Sequence, residues 1–470
     1  VSHVRLFGHY IHFPFIILGL IDFLLLVISF SSACFYRFFG EADFFWSNFG
    51  YVLPSAIVFA LINVIVMVAL GVQQSRLEDG VAGMMLRTLA SFFVSLPVAG
   101  FFYLLLSDKL WYLGNLDTLS AACVLGLLLL GIGRSLFFWI FGEDFFRKKV
   151  LVLGAGERAR QISEDLNSPL NRKGFLLKGF VAINGETVKV PSEQLVVPGT
   201  SLHDYISTHP VHEIVVAVDD RRQNLPMEDL LECKMRGIPI LEGAAFYERE
   251  ARKVAMEQIT PGWLVFTEGF SVSTVSGLGK RAIDLLAALA LFILAAPIML
   301  VTALIIKIED GFSAPVLYSQ ERVGLNGKVF KVHKFRSMIT DAEKNGAVWA
   351  QKNDTRVTKV GAFIRKVRID ELPQIFNVLS GSMAFVGPRP ERPVFVQQLS
   401  ETIPFYNERH RVKPGITGWA QLCFAYADNE EDTKEKLRYD LYYIKNQSLL
   451  LDLLIIIQTV EVILFKKGSR

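Results

Sequence analysis

Cysteine is scarce and scattered in this chain of 470 residues, which holds 4. Cys34 and Cys123 lie in apolar stretches and Cys233 and Cys423 elsewhere, with no CxxC and no Cys/His spacing. Neither a disulfide framework nor a structural zinc site is therefore expected. Net charge is also small, +3 at pH 7, so total charge gives no reason to expect nucleic acid; local clusters of Lys and Arg matter more. No Tyr-x-x-x-Lys pair occurs, which removes the usual proton donor of nucleotide-sugar dehydratases and epimerases. The opening Val1-Ser-His-Val-Arg5 shows no cleavable signal pattern, so the first apolar stretch is expected to stay as an anchor.

Apolar residues, by contrast, are abundant. The chain is 51% hydrophobic with 37 Phe, and its mean hydropathy is +0.36, a combination that predicts membrane segments. Its length allows two or three domains. Four apolar runs, Phe13–Tyr36, Tyr51–Val72, Thr88–Leu106 and Leu116–Phe141, each approach the roughly 20 residues a helix needs to cross a bilayer. Arg5 precedes the first, Arg76 and Arg87 follow the second, and Arg147, Lys148 and Lys149 follow the fourth. The other connections carry only Arg37 and Lys109. This asymmetry predicts a four-helix transmembrane bundle over residues 1–147 with both ends in the cytoplasm. Asp22 and Arg134 fall inside or at the ends of the runs, where charge is costly; pairing, structural contacts or snorkelling would each relieve that cost.

Residues 148–262 read as a Rossmann-like α/β domain. Val150-Leu-Val-Leu-Gly154-Ala-Gly156-Glu-Arg-Ala159 is a buried strand running into G-x-G-x-x-A. Strand-like runs at Leu177–Ile183, Glu213–Val218 and Ile238–Leu241 alternate with helical stretches near Leu202–Thr208 and Met227–Arg236, which predicts a small parallel sheet. The second strand ends in Val181-Ala-Ile-Asn184, without the acidic residue that binds the ribose of NAD. A structural or regulatory role is expected rather than redox chemistry, with Gly154 and Gly156 as a candidate phosphate cradle.

A linker at 263–279 leads to an apolar stretch, 280–308, flanked by Lys280 and Arg281 and by Lys307, Glu309 and Asp310. Four crossings leave the preceding domain inside, and a fifth would expel all that follows. Pro297 breaks the middle of the stretch. These features favour a re-entrant helix over a plain fifth crossing.

Residues 309–470 are dense in cations and turn residues. Asp370-Glu371 precedes Leu372, Pro373, Ile375, Phe376 and Leu379, an amphipathic pattern that predicts a helix starting at the pair. Carboxylates at the positive end of a helix stay ionised and suit a phosphoryl site; one can attack phosphorus while the other holds a metal. The alternative is that Asp370 is a simple N-cap. Lys334, Arg336, Arg356, Arg365, Arg368 and Arg389 supply the cations that pyrophosphate cleavage requires. Together they suggest a phosphate-binding pocket.

Lys334-Phe-Arg-Ser-Met338, Asp370-Glu-Leu-Pro-Gln374, Gly387-Pro-Arg-Pro390 and Lys413-Pro-Gly-Ile-Thr-Gly-Trp419 resemble, in matching order from Gly277 to about Phe465, the bacterial sugar transferase family. These are monotopic phosphoglycosyl transferases that begin exopolysaccharide and O-antigen assembly. The upstream helices and Rossmann-like domain are similar to the long-form members. The resemblance implies a ping-pong reaction in the bacterial inner membrane, with the active site facing the cytoplasm, where nucleotide sugars are found. Asp370 would attack the β-phosphate of a UDP-sugar and release UMP; a polyprenyl phosphate would then take the sugar phosphate from the covalent aspartyl intermediate. It further implies Mg²⁺ on Glu371, a homodimer, and a re-entrant helix whose usual Ser-Pro break is here Ala296-Pro297. The apolar tail Leu449–Phe465 carries Asp452, Gln458 and Glu461 on roughly one face and is followed by Lys466-Lys467, which predicts an interfacial amphipathic helix. Tyr439, Tyr442 and Tyr443 suit headgroup level or packing. Two rival functions are a nucleotide-sugar modifying oxidoreductase centred on the middle domain and a non-catalytic assembly factor that binds polyprenyl phosphate. The sugar itself is not legible in any motif.

Overall fold

The computed structural model describes residues 3–6, 9–39, 42–105, 115–141, 147–166, 175–197, 202–220, 225–258, 274–311, 313–339, 356–424 and 429–465. The chain forms two compact units, one comprising Val1–Leu6 and Tyr10–Arg252, the other Phe7–His9 and Lys253–Arg470. The expected end of the middle domain at 262 falls outside the described residues. Lys253 and Val254 already belong to the second unit: Lys253 Nζ bonds Glu435 Oε1 at 2.6 Å and Val254 N donates to the Arg438 carbonyl.

Two short strands, β1 (His3–Leu6) and β2 (His9–His12), precede the helices of the first unit, α1 (Phe13–Arg37), α2 (Ala42–Ala69), α3 (Val72–Leu105) and α4 (Leu116–Phe141). All four contain spans long and apolar enough to cross a membrane. The bounds of α1 and α4 follow the apolar runs, whereas α2 starts at Ala42 rather than Tyr51 and α3 at Val72 rather than near Thr88. The expected basic loop is thus helical. Arg87 is 7% exposed and its Nη1 donates to the carbonyl of Leu70, just past the end of α2, where helix termini leave acceptors unfilled.

The outward side of α1 is apolar at Leu20, Leu24 and Ile28, whereas the space between these helices is partly polar. Asp22 and Arg134 pair there: Arg134 Nη2 lies 2.7 Å from Asp22 Oδ2 and Nε 3.1 Å from Oδ1, with both side chains 1% exposed. Arg134 Nη1 also donates to Thr88 Oγ1 at 2.7 Å. Ser95 Oγ bonds Asn63 Oδ1 at 2.7 Å, joining α3 to α2 as polar residues do between helices in lipid.

The middle region builds β3 (Lys148–Leu153), α5 (Glu157–Asp165), β4 (Phe175–Val181), α6 (Leu202–Thr208), β5 (Glu213–Val216), α7 (Met227–Met235), β6 (Ile240–Glu242) and α8 (Gly243–Ala251). The strands are parallel in the order β4-β3-β5-β6, as the alternating pattern predicts. The chain leaves β3 to one side for β4 and later returns to its other side for β5, so the C-terminal end of β3 is the switch point where such sheets place ligands.

The second unit opens with α9 (Thr274–Asp310), a single 37-residue helix that continues through Pro297, where the sequence predicts a break. It begins within the stretch read as linker, and Gly279 there allows close packing: a Cβ would stand 2.9 Å from Leu449 Cδ1. The antiparallel hairpin β7 (Leu317–Val323) and β8 (Val329–Phe335) follows, then α10 (Lys359–Lys366), α11 (Gln374–Ser380), β9 (Ala384–Val386), α12 (Pro393–Thr402), β10 (Gly415–Thr417), α13 (Trp419–Cys423), α14 (Glu430–Lys445) and α15 (Leu449–Phe465). Strands β9 and β10 pair in parallel so closely that a Cβ on Gly387 would collide with the Lys413 carbonyl. This close approach explains the glycines of the two motifs.

Helix α15 has the expected bounds, but Asp452 does not lie on a water-facing stripe. It is 1% exposed and bonded to Lys280, because a buried carboxylate needs a counter-charge. Tyr442 and Tyr443 are core residues, 0% and 1% exposed. The side chain of Glu461, and Lys466 and Lys467 entirely, lie outside the described residues.

Candidate active site

Asp370 and Glu371 sit one turn ahead of the α-helix expected to start at them, in a 3-10 turn, Ile369–Glu371. Arg368 enters this turn in the left-handed region at φ 61, a conformation that non-glycine residues rarely adopt and that clusters at functional sites. Glu371 N donates to the Arg368 carbonyl and Leu372 N to that of Ile369. Helix α11 starts only after Pro373, which has no N–H to donate. No side-chain cap bond is made at either helix start, so Asp370 does not serve as an N-cap.

The two carboxylates have opposite surroundings. Glu371 is gripped: Arg389 Nη2 lies 2.6 Å from Oε1, Arg389 Nη1 3.3 Å from Oε2 and Lys334 Nζ 3.2 Å from Oε1. Arg368 Nη1 stands 3.9 Å from Oε2. Burial opposes its ionisation, but Arg389 and Lys334 outweigh burial and hold the carboxyl well below the usual range. Asp370 is 8% exposed, and among the described residues no hydrogen-bond donor engages its carboxylate. Burial raises its pKa first and the Glu371 charge second, against the pull of Lys334, Arg389 and Arg365.

The expected phosphate-binding residues divide. Lys334, Arg389 and Arg368 meet at Glu371, and Arg365 exerts its charge on Asp370 without a bond to it. Arg336 is 6% exposed and pairs with Asp310 at 2.5 Å, tying β8 to the end of α9. Arg356 offers its carbonyl to Ile339 N.

Sequence reasoning missed the supports. Asn377 staples α11 to β8, accepting from His333 N at 3.0 Å and donating to the Lys331 carbonyl at 2.8 Å. Arg409 donates to the Arg389 carbonyl at 2.9 Å and to Asp440 Oδ2 at 2.8 Å. Arg322 donates to the Pro390 carbonyl at 3.1 Å and pairs with Glu391. The loop presenting Arg389 is therefore fixed by one buried and one half-buried ion pair whose partners lie far apart in sequence.

For Mg²⁺ the donor set is small. No group of three His, Cys, Asp or Glu that could hold a metal occurs among the described residues. Glu371 Oε1 already accepts two N–H bonds and Oε2 one, which leaves an acceptor position on Oε2. One or two carboxylates with substrate phosphates completing the shell is the usual protein arrangement for this ion, and the residues present fit it.

At Gly154 and Gly156 the cradle is filled from within. Ala155 N donates to Glu186 Oε2 at 2.7 Å, Glu157 N to Asp219 Oδ2 at 2.7 Å and Arg158 N to Asp219 Oδ1 at 2.9 Å. A Cβ on Gly156 would collide with the Asp219 carboxylate.

Residues 275–466 match the family model described as bacterial sugar transferase. The chain is 44% identical over 241 residues to a UDP-N-acetylgalactosamine-undecaprenyl-phosphate N-acetylgalactosaminephosphotransferase of Aeromonas hydrophila, covering 51% of this chain and 56% of that protein. It is 33% identical over 330 residues to an undecaprenyl-phosphate glucose phosphotransferase of Komagataeibacter xylinus, covering 68% and 60%. That stretch is too long to fit within 275–470 and so includes upstream residues. The matches thus span little more than half the length of these two curated relatives. A putative undecaprenyl-phosphate N-acetylgalactosaminyl 1-phosphate transferase of Bacillus subtilis (strain 168) is 54% identical over 130 residues, covering 28% of this chain and 72% of its own length. With the motifs, the family model and this relative in agreement, the chain belongs to the bacterial sugar transferase family.

Proposed function

We propose that the chain transfers a sugar 1-phosphate from a UDP-sugar to a polyprenyl (undecaprenyl) phosphate and releases UMP, as the first membrane step of exopolysaccharide or O-antigen synthesis. The observation that carries this reading is the division of labour in the carboxylate pair. Glu371 is bonded to cations, whereas Asp370, buried beside it, meets no donor among the described residues. Desolvation leaves an unbonded carboxylate more reactive, which suits a nucleophile.

In the first half-reaction an Asp370 carboxylate oxygen attacks the phosphorus nearer the sugar. The bond from that phosphorus to the bridging oxygen breaks, and UMP departs with the bridging electrons. The product is an acyl phosphate between Asp370 and the sugar. In the second, an oxygen of polyprenyl phosphate attacks the same phosphorus, the aspartyl–phosphorus bond breaks, and the carboxylate is restored. Arg389, Lys334 and Arg368 bring more positive charge than Glu371 neutralises, and the surplus stabilises the diphosphate oxygens. Mg²⁺ held by Glu371 and the diphosphate would add charge neutralisation at the same oxygens.

Bonds at both ends of α9 support a re-entrant passage. Arg281 donates to the carbonyls of Val378 and Leu379 near its start, and Asp310 pairs with Arg336 at its end. A crossing helix would carry one end across roughly 30 Å of hydrocarbon, away from such partners. With the charge asymmetry of the first four helices, this reading keeps the site on the cytoplasmic face of the bacterial inner membrane. A homodimer follows from the long-form resemblance.

The test is UMP release by the purified full chain with Mg²⁺, polyprenyl phosphate and a UDP-sugar panel. The panel begins with UDP-N-acetylgalactosamine and UDP-glucose, the sugars in the relatives' names. Release that Asp370→Asn abolishes is expected; release that this change leaves intact would sink the nucleophile.

A further inference from the structure

Lys280 of α9, Tyr443 of α14 and Asp452 of α15 meet beside the Val386 carbonyl, next to the active-site loop. Lys280, near the start of α9, places Nζ 3.0 Å from the Val386 carbonyl, 2.8 Å from Asp452 Oδ2 and 3.2 Å from the Tyr443 hydroxyl. The Tyr443 hydroxyl lies 2.7 Å from Asp452 Oδ1 and 3.1 Å from the Val386 carbonyl. It has one proton, and the nearer, charged acceptor takes it. Lys280 then gives its three protons to Val386, Asp452 and the Tyr443 oxygen. All the polar atoms are satisfied, and Tyr443 and Asp452 are each 1% exposed.

Val386 ends β9, and the loop carrying Arg389 begins at the next residue. Gly387 N is fixed by the Thr417 carbonyl at 2.9 Å, and the Arg389 carbonyl by Arg409 at the same distance. Between these anchors, Arg389 has little freedom in how it meets Glu371. Lys280 belongs to the long apolar helix α9 and Asp452 to the apolar helix α15. The two long apolar helices of the second unit therefore converge on the loop that presents a substrate-site cation.

We propose that Lys280, Tyr443 and Asp452 are positioning residues that set the reach of Arg389 and link the seating of α9 and α15 to the active-site loop. The proposal rests on the transferase reading given above. Loss of one member leaves Arg389 chemically intact but displaced. A shift of about 1 Å at a positioning group can cost roughly 100-fold in rate.

The experiment measures kcat and KM for UMP release by the full chain in lipid nanodiscs, together with its melting temperature. Wild type, Tyr443→Phe, Asp452→Asn, Lys280→Met and Lys280→Arg are compared, with Tyr443→Phe repeated in an Arg389→Ala background. Tyr443→Phe is expected to lower kcat roughly tenfold to 100-fold with KM for the UDP-sugar little changed and the protein still folded. Lys280→Arg restores part of what Lys280→Met loses. In the Arg389→Ala background Tyr443→Phe has little further effect, because the two act as a unit. The same fold-loss in both backgrounds overturns the proposal, as does a Tyr443→Phe or Asp452→Asn enzyme with wild-type kcat. A fall in activity that merely tracks loss of folded protein overturns it as well. A wild type that releases no UMP overturns the transferase reading instead.

Discussion

Two loops in this molecule gather polar groups as if for a phosphate, and they end differently. In the Rossmann-like region, the N–H groups of Ala155, Glu157 and Arg158 all find carboxylate partners, Glu186 and Asp219, from the chain itself. In the second unit, Lys334, Arg389 and Arg368 surround one carboxylate, Glu371, while Asp370 next to it has no donor among the described residues. The first arrangement is closed. The second holds cations in excess of Glu371 and one buried carboxylate without a donor among the described residues. Both loops carry recognisable motifs, so a motif alone does not distinguish a working site from a filled one; the balance of donors against internal acceptors does.

The sharpest break in that comparison comes from one substitution in each loop. Asp370→Asn is expected to lower UMP release by roughly 10⁴-fold or more, as loss of a nucleophile does. Asp219→Ala should leave release within about twofold, as for a surface change in a loop that takes no part in the reaction. Equal losses would mean that the two loops cooperate. Arg389→Ala should cost about 100- to 1,000-fold in kcat, the usual scale for one charge-stabilising donor.

The pair at 370–371 also predicts stability changes of opposite sign. The Glu371 pKa is depressed, so its stabilisation is present above its unfolded value of 4.5 and lost as pH falls through the folded value. Glu371→Gln strands Arg389 and Lys334 and should destabilise by about 3–5 kcal/mol at pH 7. The Asp370 pKa is raised above 3.8. Its contribution is therefore fully present below the unfolded value and lost as pH rises through the folded one. At pH 7 Asp370→Asn should raise the melting temperature while it removes activity, the trade-off expected of a strained functional group. Calorimetry of both variants decides; two shifts of the same sign would contradict the division of roles. The same raised pKa places the acid limb of kcat/KM above the ordinary aspartate value, and a limb at or below 3.8 in a pH-rate profile would assign the nucleophile elsewhere.

The smallest effect lies in the closed loop. Asp219→Ala should lower the stability of the first unit by about 1 kcal/mol, as for loss of a helix cap. Hydrogen exchange over residues 154–160 would register it, and adenine nucleotides should not slow exchange there in the wild type.

These differences were legible in the sequence only in part. Long apolar runs located the four helices, because a bilayer imposes a length that composition reveals. Asp370-Glu371, Lys334 and Arg389 stood out by residue type and spacing. Glu186 could not be anticipated: it lies two residues beyond Asn184, where an acidic residue was sought, and bonds back to Ala155 through tertiary folding. Asp440 under Arg409 and Asp452 under Lys280 were hidden for the same reason, since nothing local specifies which distant carboxylate a cation will meet. The 3-10 turn at the pair was missed because it depends on Arg368 adopting a positive φ, which its sequence context does not announce.

The Asp22–Arg134 clasp has a consequence for how the chain is made. The two residues are 112 positions apart, so at about 5–20 residues per second the ribosome delivers the arginine roughly 6–22 s after the aspartate. Until then α1 carries an acid without this partner, and a nascent chain cut short before residue 134 lacks the arginine that pairs with it.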